Sequence, residues 1–201
     1  MADANRLIGK IEYMKKIIIR LSIITLVGVI ALLAILELPH AGRSTSHGIV
    51  AKMELPDLTR EADEILIGKV IKKINTFRET GVDGQEMVYT RWLIEPTKKL
   101  KGQGQQPIIV RVMGGRYGLT IVEAEDAPSF SVGEKVLVFL SPLPDTTNEY
   151  WIRGEFQGKF KIDKSSDNVE TAIQQESEKM IILNDLEKEI KADIDENKVK
   201  I

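Results

Sequence analysis

Hydrophobic and polar positions along this chain fall into three regimes. From Ile17 to Leu38 there is no alternation: IIIRLSIITLVGVIALLAILEL is apolar on every side. Its centre, Leu21 to Leu36, is sixteen residues without a charge, and Ser22 and Thr25 are its polar groups. As a helix at ~1.5 Å per residue the whole stretch is roughly 33 Å long, about one hydrocarbon core. A helix satisfies its own backbone donors and acceptors, so it can sit in lipid. The pattern predicts one transmembrane helix over 17–38. Arg20 lies one turn inside the first end, where its stem can snorkel to the headgroups.

The second regime, residues 55–164, has strand periodicity. Pro56 to Asp63 reads as one or two helical turns with acidic residues near the start. Glu64 to Phe77 is rich in β-branched residues and predicts a long strand. Thr80 to Gly84 is a turn containing an Asp-Gly pair. Glu86 to Glu95 then alternates, with Val88, Thr90, Trp92 and Ile94 on one face and Met87, Tyr89, Arg91 and Leu93 on the other. Pro96, lacking a ladder donor, is expected to end that strand. Pro107 to Met113 is a third strand, Gly114 to Gly118 a glycine turn, and Leu119 to Val122 a short strand. Lys135 to Leu140 (KVLVFL) is continuously apolar after its lysine, the mark of a strand buried on both faces. Tyr150 to Ile162 reads as a last strand pair broken near Gly154 or Gly158. Five to seven short strands are therefore expected. Ten of the eleven aromatic residues lie between Phe77 and Phe160, which marks this stretch as the packed core. The expected fold class is mainly β: a small five-stranded Greek-key barrel of oligomer-binding (OB-like) type.

The third regime, 165–201, returns to helical spacing. Ile173, Met180, Leu183, Leu186, Ile190 and Ile194 recur near that period, and no Gly or Pro interrupts Val169 to Ile201. One amphipathic helix of roughly 25 residues is expected. Its apolar stripe must be covered by the barrel, by a partner or by a second copy. Residues 1–16 form a basic amino terminus and 39–54 a small-residue linker.

Charge sets the orientation. Arg6, Lys10, Lys15, Lys16 and Arg20 stand at the amino end of the apolar segment, against Arg43 beyond it. This excess keeps the amino terminus in the cytoplasm and puts the folded domain outside a single-pass anchor in the cell membrane. The competing reading is a cleaved signal peptide beginning at Met14, with Ser44–Thr45–Ser46 as a distant cleavage site and a secreted product.

The chain has no cysteine, which excludes disulfides, thiolate metal sites and thiol nucleophiles. Both histidines, His40 and His47, fall in the linker, so the β domain holds no Ser-His-Asp triad and no histidine-ligated zinc. Residues 43–168 hold 18 basic and 18 acidic side chains, giving no field for nucleic acid. Glu123, Glu125 and Asp126 have the oxygen chemistry for calcium without EF-hand spacing, and the sequence leaves that open. Gly114 to Gly118 lacks the lysine and helix of a phosphate loop. No cofactor and no metal are expected. Trp92, Tyr117, Trp151 and Arg153 are the candidates for an exposed stacking surface. Leu183, Leu186 and Ile190 are the candidates for a helical docking face.

Several runs carry a resemblance: Leu58 to Val70 (LTREADEILIGKV), Trp92 to Gly102 (WLIEPTKKLKG), Ile109 to Gly115 (IVRVMGG), Gly133 to Leu140 (GEKVLVFL) and Gln157 to Phe160 (QGKF). Over about residues 57–162 the chain resembles a group of secreted or membrane-anchored prokaryotic proteins. Their strand order is similar to the netrin-like and tissue-inhibitor-of-metalloproteinases modules. The resemblance implies an OB-type barrel. The inhibitors' mechanism needs an amino-terminal cysteine, which this chain lacks, so it does not carry over.

The expected function is a membrane-anchored extracytoplasmic protein-interaction module, such as an accessory subunit of an envelope complex. It is not expected to be an enzyme. Its partners would be the membrane and a protein or second copy held through the carboxy-terminal helix, with no nucleic acid. A stand-alone protease inhibitor or ligand-binding barrel is the first alternative. A carboxylate-based hydrolase is the second, and it requires a cleft holding two carboxylates.

Overall fold

The structure, a computed structural model, describes residues 14–15, 43–46, 50–81, 84–103, 106–144, 146–175 and 180–199. The expected transmembrane segment 17–38, His40 and His47 lie outside them. Among the described residues no helix is long and apolar enough to cross a membrane. The unit from Gly42 to Ile201 is described below.

Its elements in chain order are β1 (Arg43–Ser46), α1 (Leu55–Glu61), β2 (Glu64–Thr80), β3 (Glu86–Lys101), β4 (Ile108–Met113), β5 (Gly115–Tyr117), β6 (Thr120–Ala124), β7 (Lys135–Pro142) and β8 (Glu149–Ile152). A 3-10 turn (Glu155–Gly158), β9 (Lys159–Lys164), β10 (Glu170–Gln174), β11 (Met180–Ile182) and α2 (Leu183–Val199) complete it. Eight strands form one mixed sheet in the order β11-β10-β9-β7-β2-β3-β4-β8. A further pairing of β8 with β7 closes β7, β2, β3, β4 and β8 into a five-strand ring. Every ring pair is antiparallel except β4–β8. A separate three-stranded sheet, β1-β6-β5, carries the linker strand β1 parallel to β6.

Alternation along β2 and β7 explains why two cores exist. Leu66 and Val70 of β2 and Val136, Val138 and Leu140 of β7 point into the ring, where they meet Ile94, Val110, Val112 and Ile152. Ile65, Ile67, Leu137 and Phe139, the residues between, form a second core with Leu58 of α1 and Leu186 and Ile190 of α2. Successive side chains of a strand point to opposite faces, so a strand covered on both sides must be apolar throughout. KVLVFL meets that demand. Gly68 sits on the ring side between Leu66 and Val70. A Cβ there would lie 2.7 Å from Ile94 Cγ2, so the close approach of β2 to β3 needs a glycine.

Polar groups fasten the layers. Lys159 and Glu134 pair at 2.8 Å with side chains 5% and 7% exposed, and the ammonium lies 4.9 Å from the Phe130 ring centroid. Burial pulls the Lys159 pKa down, while the Glu134 carboxylate opposes that shift. Lys101 Nζ donates to the carbonyls of Thr59 and Arg60 in the last turn of α1, satisfying acceptors the helix leaves open.

The architecture is mainly β with a carboxy-terminal helix, as expected, and several details differ. Among the described residues of 64–164 there are eight strands rather than five to seven. Pro96 does not end β3, which continues to Lys101. It falls past the last β3–β4 pair (Ile94 with Ile108) and opposite a register slip between Ile67 and Gly68, where a missing N–H is tolerated. Gly115 to Tyr117 is a strand paired with β6, so the expected glycine turn shrinks to Gly118–Leu119. β8 and β9 do not pair with each other; each flanks β7.

The tail is not one long helix. Ile173 and Met180 lie in β10 and β11, which extend the sheet beyond β9, and among the described residues of the tail only Leu183–Val199 is helical. The open edge of β9 offers a ladder, and that tertiary pairing overrides a helical period. α2 then lays Leu183, Leu186 and Ile190 into the outer core. Leu186 is fully buried. Leu186→Ala should therefore cost about 2–5 kcal/mol, read as a lower urea midpoint of the full chain with an unchanged m-value.

Candidate functional site

Outside the ring, the face of β3, β4 and β8 is built from residues that alternate with the ring core. Arg111 lies between the inward Val110 and Val112, and Trp151 between Tyr150 and Ile152, so both point outward. Register then sets a row across four strands: Arg91 opposite Arg111, Arg111 opposite Trp151, and Trp151 opposite Ser141. Two arginines directly opposite repel one another. The fold answers with aromatic rings and carboxylates. Arg111 is only 6% exposed, and its guanidinium lies 4.0 Å from the Tyr89 ring centroid and 4.9 Å from those of Phe77 and Trp151. It pairs with Glu79, while Arg91 bonds Glu149 at 2.8 Å and lies 4.0 Å from Phe77. Arg111 Nε has no hydrogen-bond partner among the described residues. Burial lowers the Arg111 pKa, and the Glu149 charge works against that shift.

This cluster backs a cleft of about 510 Å³. Tyr89 and Trp151, edge to face with centroids 5.6 Å apart, give it an aromatic wall, and Met113 adjoins them. The other wall comes from Ala124, Asp126 and Ala127 after β6 and from the turn that leaves β8. In that turn Gly154 and Glu155 take consecutive left-handed conformations, with φ of 72° and 53°. Such a φ is uncommon for a residue with a side chain, and it delivers the Glu155 carboxyl to the cleft. A Cβ on Gly158 would overlap the Arg153 carbonyl, so the turn closes only with glycine there. Gln157 fastens the incoming chain: its Oε1 accepts from Met53 N–H and its Nε2 donates to the Ala51 carbonyl, which brings Val50 to the rim.

Charges of both signs line the cleft. Arg153 donates through Nε and Nη2 to Ser141 Oγ at 3.1 and 2.8 Å, and among the described residues it forms no ion pair. Asp126 and Glu155 are drawn together by the hydrogen bond from Phe156 N–H to the Asp126 carbonyl, 3.2 Å. Glu155 is an exposed residue, yet the walls beside its carboxyl push it above the ordinary range, and the Asp126 charge adds to this. Burial raises the Tyr89 phenol as well, with Glu155 contributing.

The sequence candidates separate. Trp151 and Arg153 come together in the cleft. Trp92 turns into the ring, 6.0 Å from Phe130. Tyr117 stays 42% exposed on the β5–β6 hairpin, beneath the Arg78 guanidinium at 5.0 Å. Leu183, Leu186 and Ile190 are covered by the chain's own sheet and α1, so docking through them requires the helix to lift. Glu123 holds Arg43 of β1 with both carboxylate oxygens. Among the described residues no group of three acidic or histidine side chains is placed to hold a metal ion. Sequence reading passed over Tyr89, Arg111, Ser141 and Glu155. One signal was present: a charge inside the apolar strand IIVRVM, which demands partners.

No protein-family model matches the chain, and no curated protein is similar enough to be a relative.

Because the folded chain holds the Glu155 proton more tightly than the unfolded chain does, this group's contribution to stability is complete below the ordinary carboxylate pKa. It is lost as pH rises through the shifted value. Wild type should therefore lose stability relative to Glu155→Gln as pH climbs through and above the ordinary carboxylate pKa of about 4.3, seen as a widening gap in thermal midpoints.

Proposed function

We propose that this chain is a ligand-binding module and not a catalyst, held on the outer face of the cell membrane by the apolar segment 17–38. The proposal includes the finer fold: the five-strand ring is an OB-type Greek-key barrel, supported by its ring closure, its filled interior and its long, bulged first two strands. The observation that carries the functional reading is the cleft of about 510 Å³ with its Tyr89–Trp151 wall. Its size and its few convergent polar groups match the dimensions of small-molecule sites. The rings are locked from behind by Arg111, which supplies the rigidity a receiving surface needs. This puts the ligand-binding barrel, the first alternative read from the sequence, ahead of the expected protein-interaction module.

A second reading, carboxylate-based hydrolysis, is favoured by Asp126 and Glu155 sharing that cleft. It requires turnover of the bound molecule that Glu155→Gln removes, whereas a binding module releases its ligand unchanged.

A fragment screen by NMR on the full chain in detergent micelles tests the binding reading. Hits should shift the Trp151 indole and Met113 methyl signals, and Ala127→Trp, which fills the cleft, should abolish them at an unchanged thermal midpoint. Hits that map elsewhere or survive the filling overturn it. The membrane address has its own test. Protease added to intact cells should digest residues beyond 43, and protection of that region with full digestion after lysis would reverse the orientation.

A further inference from the structure

The chain enters the β domain beside an exposed hairpin tip. β1 begins at Arg43 and runs parallel to β6, with Arg43 opposite Ile121. Parallel neighbours start at the same end, so β1 begins beside the start of β6. That end is the tip of the β5–β6 hairpin, where Tyr117 pairs with Thr120 and the turn consists of Gly118, at φ 59°, and Leu119. Four residues, 39–42, separate the apolar segment 17–38 from Arg43. Fully extended, that link reaches at most about 18 Å. With 17–38 across a bilayer, the start of β1 and the tip beside it are tethered close to the headgroups. The side chains of the tip suit that address. Leu119 is 53% exposed, and Tyr117 is open next to it. An exposed leucine gains by leaving water, and a tyrosine joins an apolar ring to a polar end, the combination enriched at membrane–water interfaces. Arg116 is exposed as well, and a guanidinium matches the geometry of a phosphate. Two carboxylates on adjacent strands are held by cations of their own: Glu123 by Arg43, and Glu86 by Arg78, whose guanidinium also lies over the Tyr117 ring.

Resting on the membrane-anchor reading above, we propose that the β5–β6 hairpin tip is a second, peripheral membrane contact of this chain. Leu119 and the Tyr117 ring enter the headgroup layer of the bilayer that holds the apolar segment, and Arg116 pairs with lipid phosphate. A single link leaves a domain free to turn about it; a second contact fixes the turn. β6 then leads away from the lipid. It has five residues, and its last, Ala124, lines the cleft. At ~3.3 Å per residue Ala124 lies roughly 13 Å along the strand from Thr120. The contact therefore holds the cleft about one strand length from the headgroups.

The chain has no cysteine, so Leu119→Cys supplies a single labelling site on an exposed turn. The full chain, labelled there with a polarity-sensitive fluorophore, is placed in phosphatidylcholine nanodiscs with and without a nitroxide on the lipid headgroup. Emission should be shifted to the blue, and the nitroxide lipid should quench it. The same label at Lys188→Cys, exposed on α2, should keep water-like emission and escape quenching. Adding Arg116→Ser and Tyr117→Ser to Leu119→Cys should return its label to water, and quenching that survives them belongs to the dye and overturns the assignment. Water-like emission at Leu119→Cys from a chain incorporated into the discs overturns the contact and leaves the anchor reading standing. A blue shift that nitroxide lipid does not quench means that protein, such as a second copy, covers the tip, and it overturns the contact too. If the chain does not incorporate into discs at all, the anchor reading falls and the contact with it.

Discussion

The antiparallel pair β2–β7 must be buried on both faces at once, and the rest of the domain is arranged around that demand. One face closes the five-strand ring and the other lies beneath α1 and α2. Burial of apolar area is the dominant favourable contribution in a domain of this size, and here a single pair of strands supplies both interiors. The sheet therefore continues past the ring through β9, β10 and β11, because those strands and α2 are what cover the outer face of β7. The helix is a component of the core before it is anything else.

The ring's remaining outer face follows a different rule. Among the described residues α2 reaches only the far end of β3, where Lys98 pairs with Glu187, and the outward positions of β4, β8 and the first half of β3 carry Arg91, Arg111, Glu149 and Trp151 beside Leu93 and Ile109. Arginine tolerates this setting because its flat, weakly hydrated guanidinium stacks on rings while it bonds carboxylates. The cluster of Phe77, Tyr89 and Trp151 around Arg111 is the result. It turns an exposed strand surface into a firm aromatic wall. The cleft forms where the loop after β6 and the turn after β8 rise beside that wall. Its shape rests on left-handed backbone at Gly154 and Glu155 and on the side chain missing at Gly158.

Local pattern made much of this legible. The strands around Val70, Ile94, Val110 and Val138 follow from alternation, and KVLVFL announced a strand with no solvent face. The two faces assigned to Glu86–Glu95 hold: Trp92 and Ile94 join the ring core while Tyr89 and Arg91 point out. What failed was tied to partners. Ile173 and Met180 fit a helical period and nevertheless lie in strands, because β9 offered an edge. Pro96 is a stop signal that a register slip neutralised. Half of the stacking candidates, Trp151 and Arg153, reach the cleft, while Trp92 and Tyr117 face elsewhere, since residue type cannot tell which rings a sheet brings together.

By itself, the order of residues determined that the described unit is mainly β, that its aromatic residues concentrate within it, and that thiol and imidazole chemistry are missing from residues 55–164. Those are properties of composition and of short-range period, which every segment carries with it. Tertiary structure alone decided the ring closure through β8, the covering of α2, and the meeting of Arg153, Asp126, Glu155 and Trp151 around one cleft. These depend on register and on strand order, which arise only when segments distant in the chain exchange backbone hydrogen bonds.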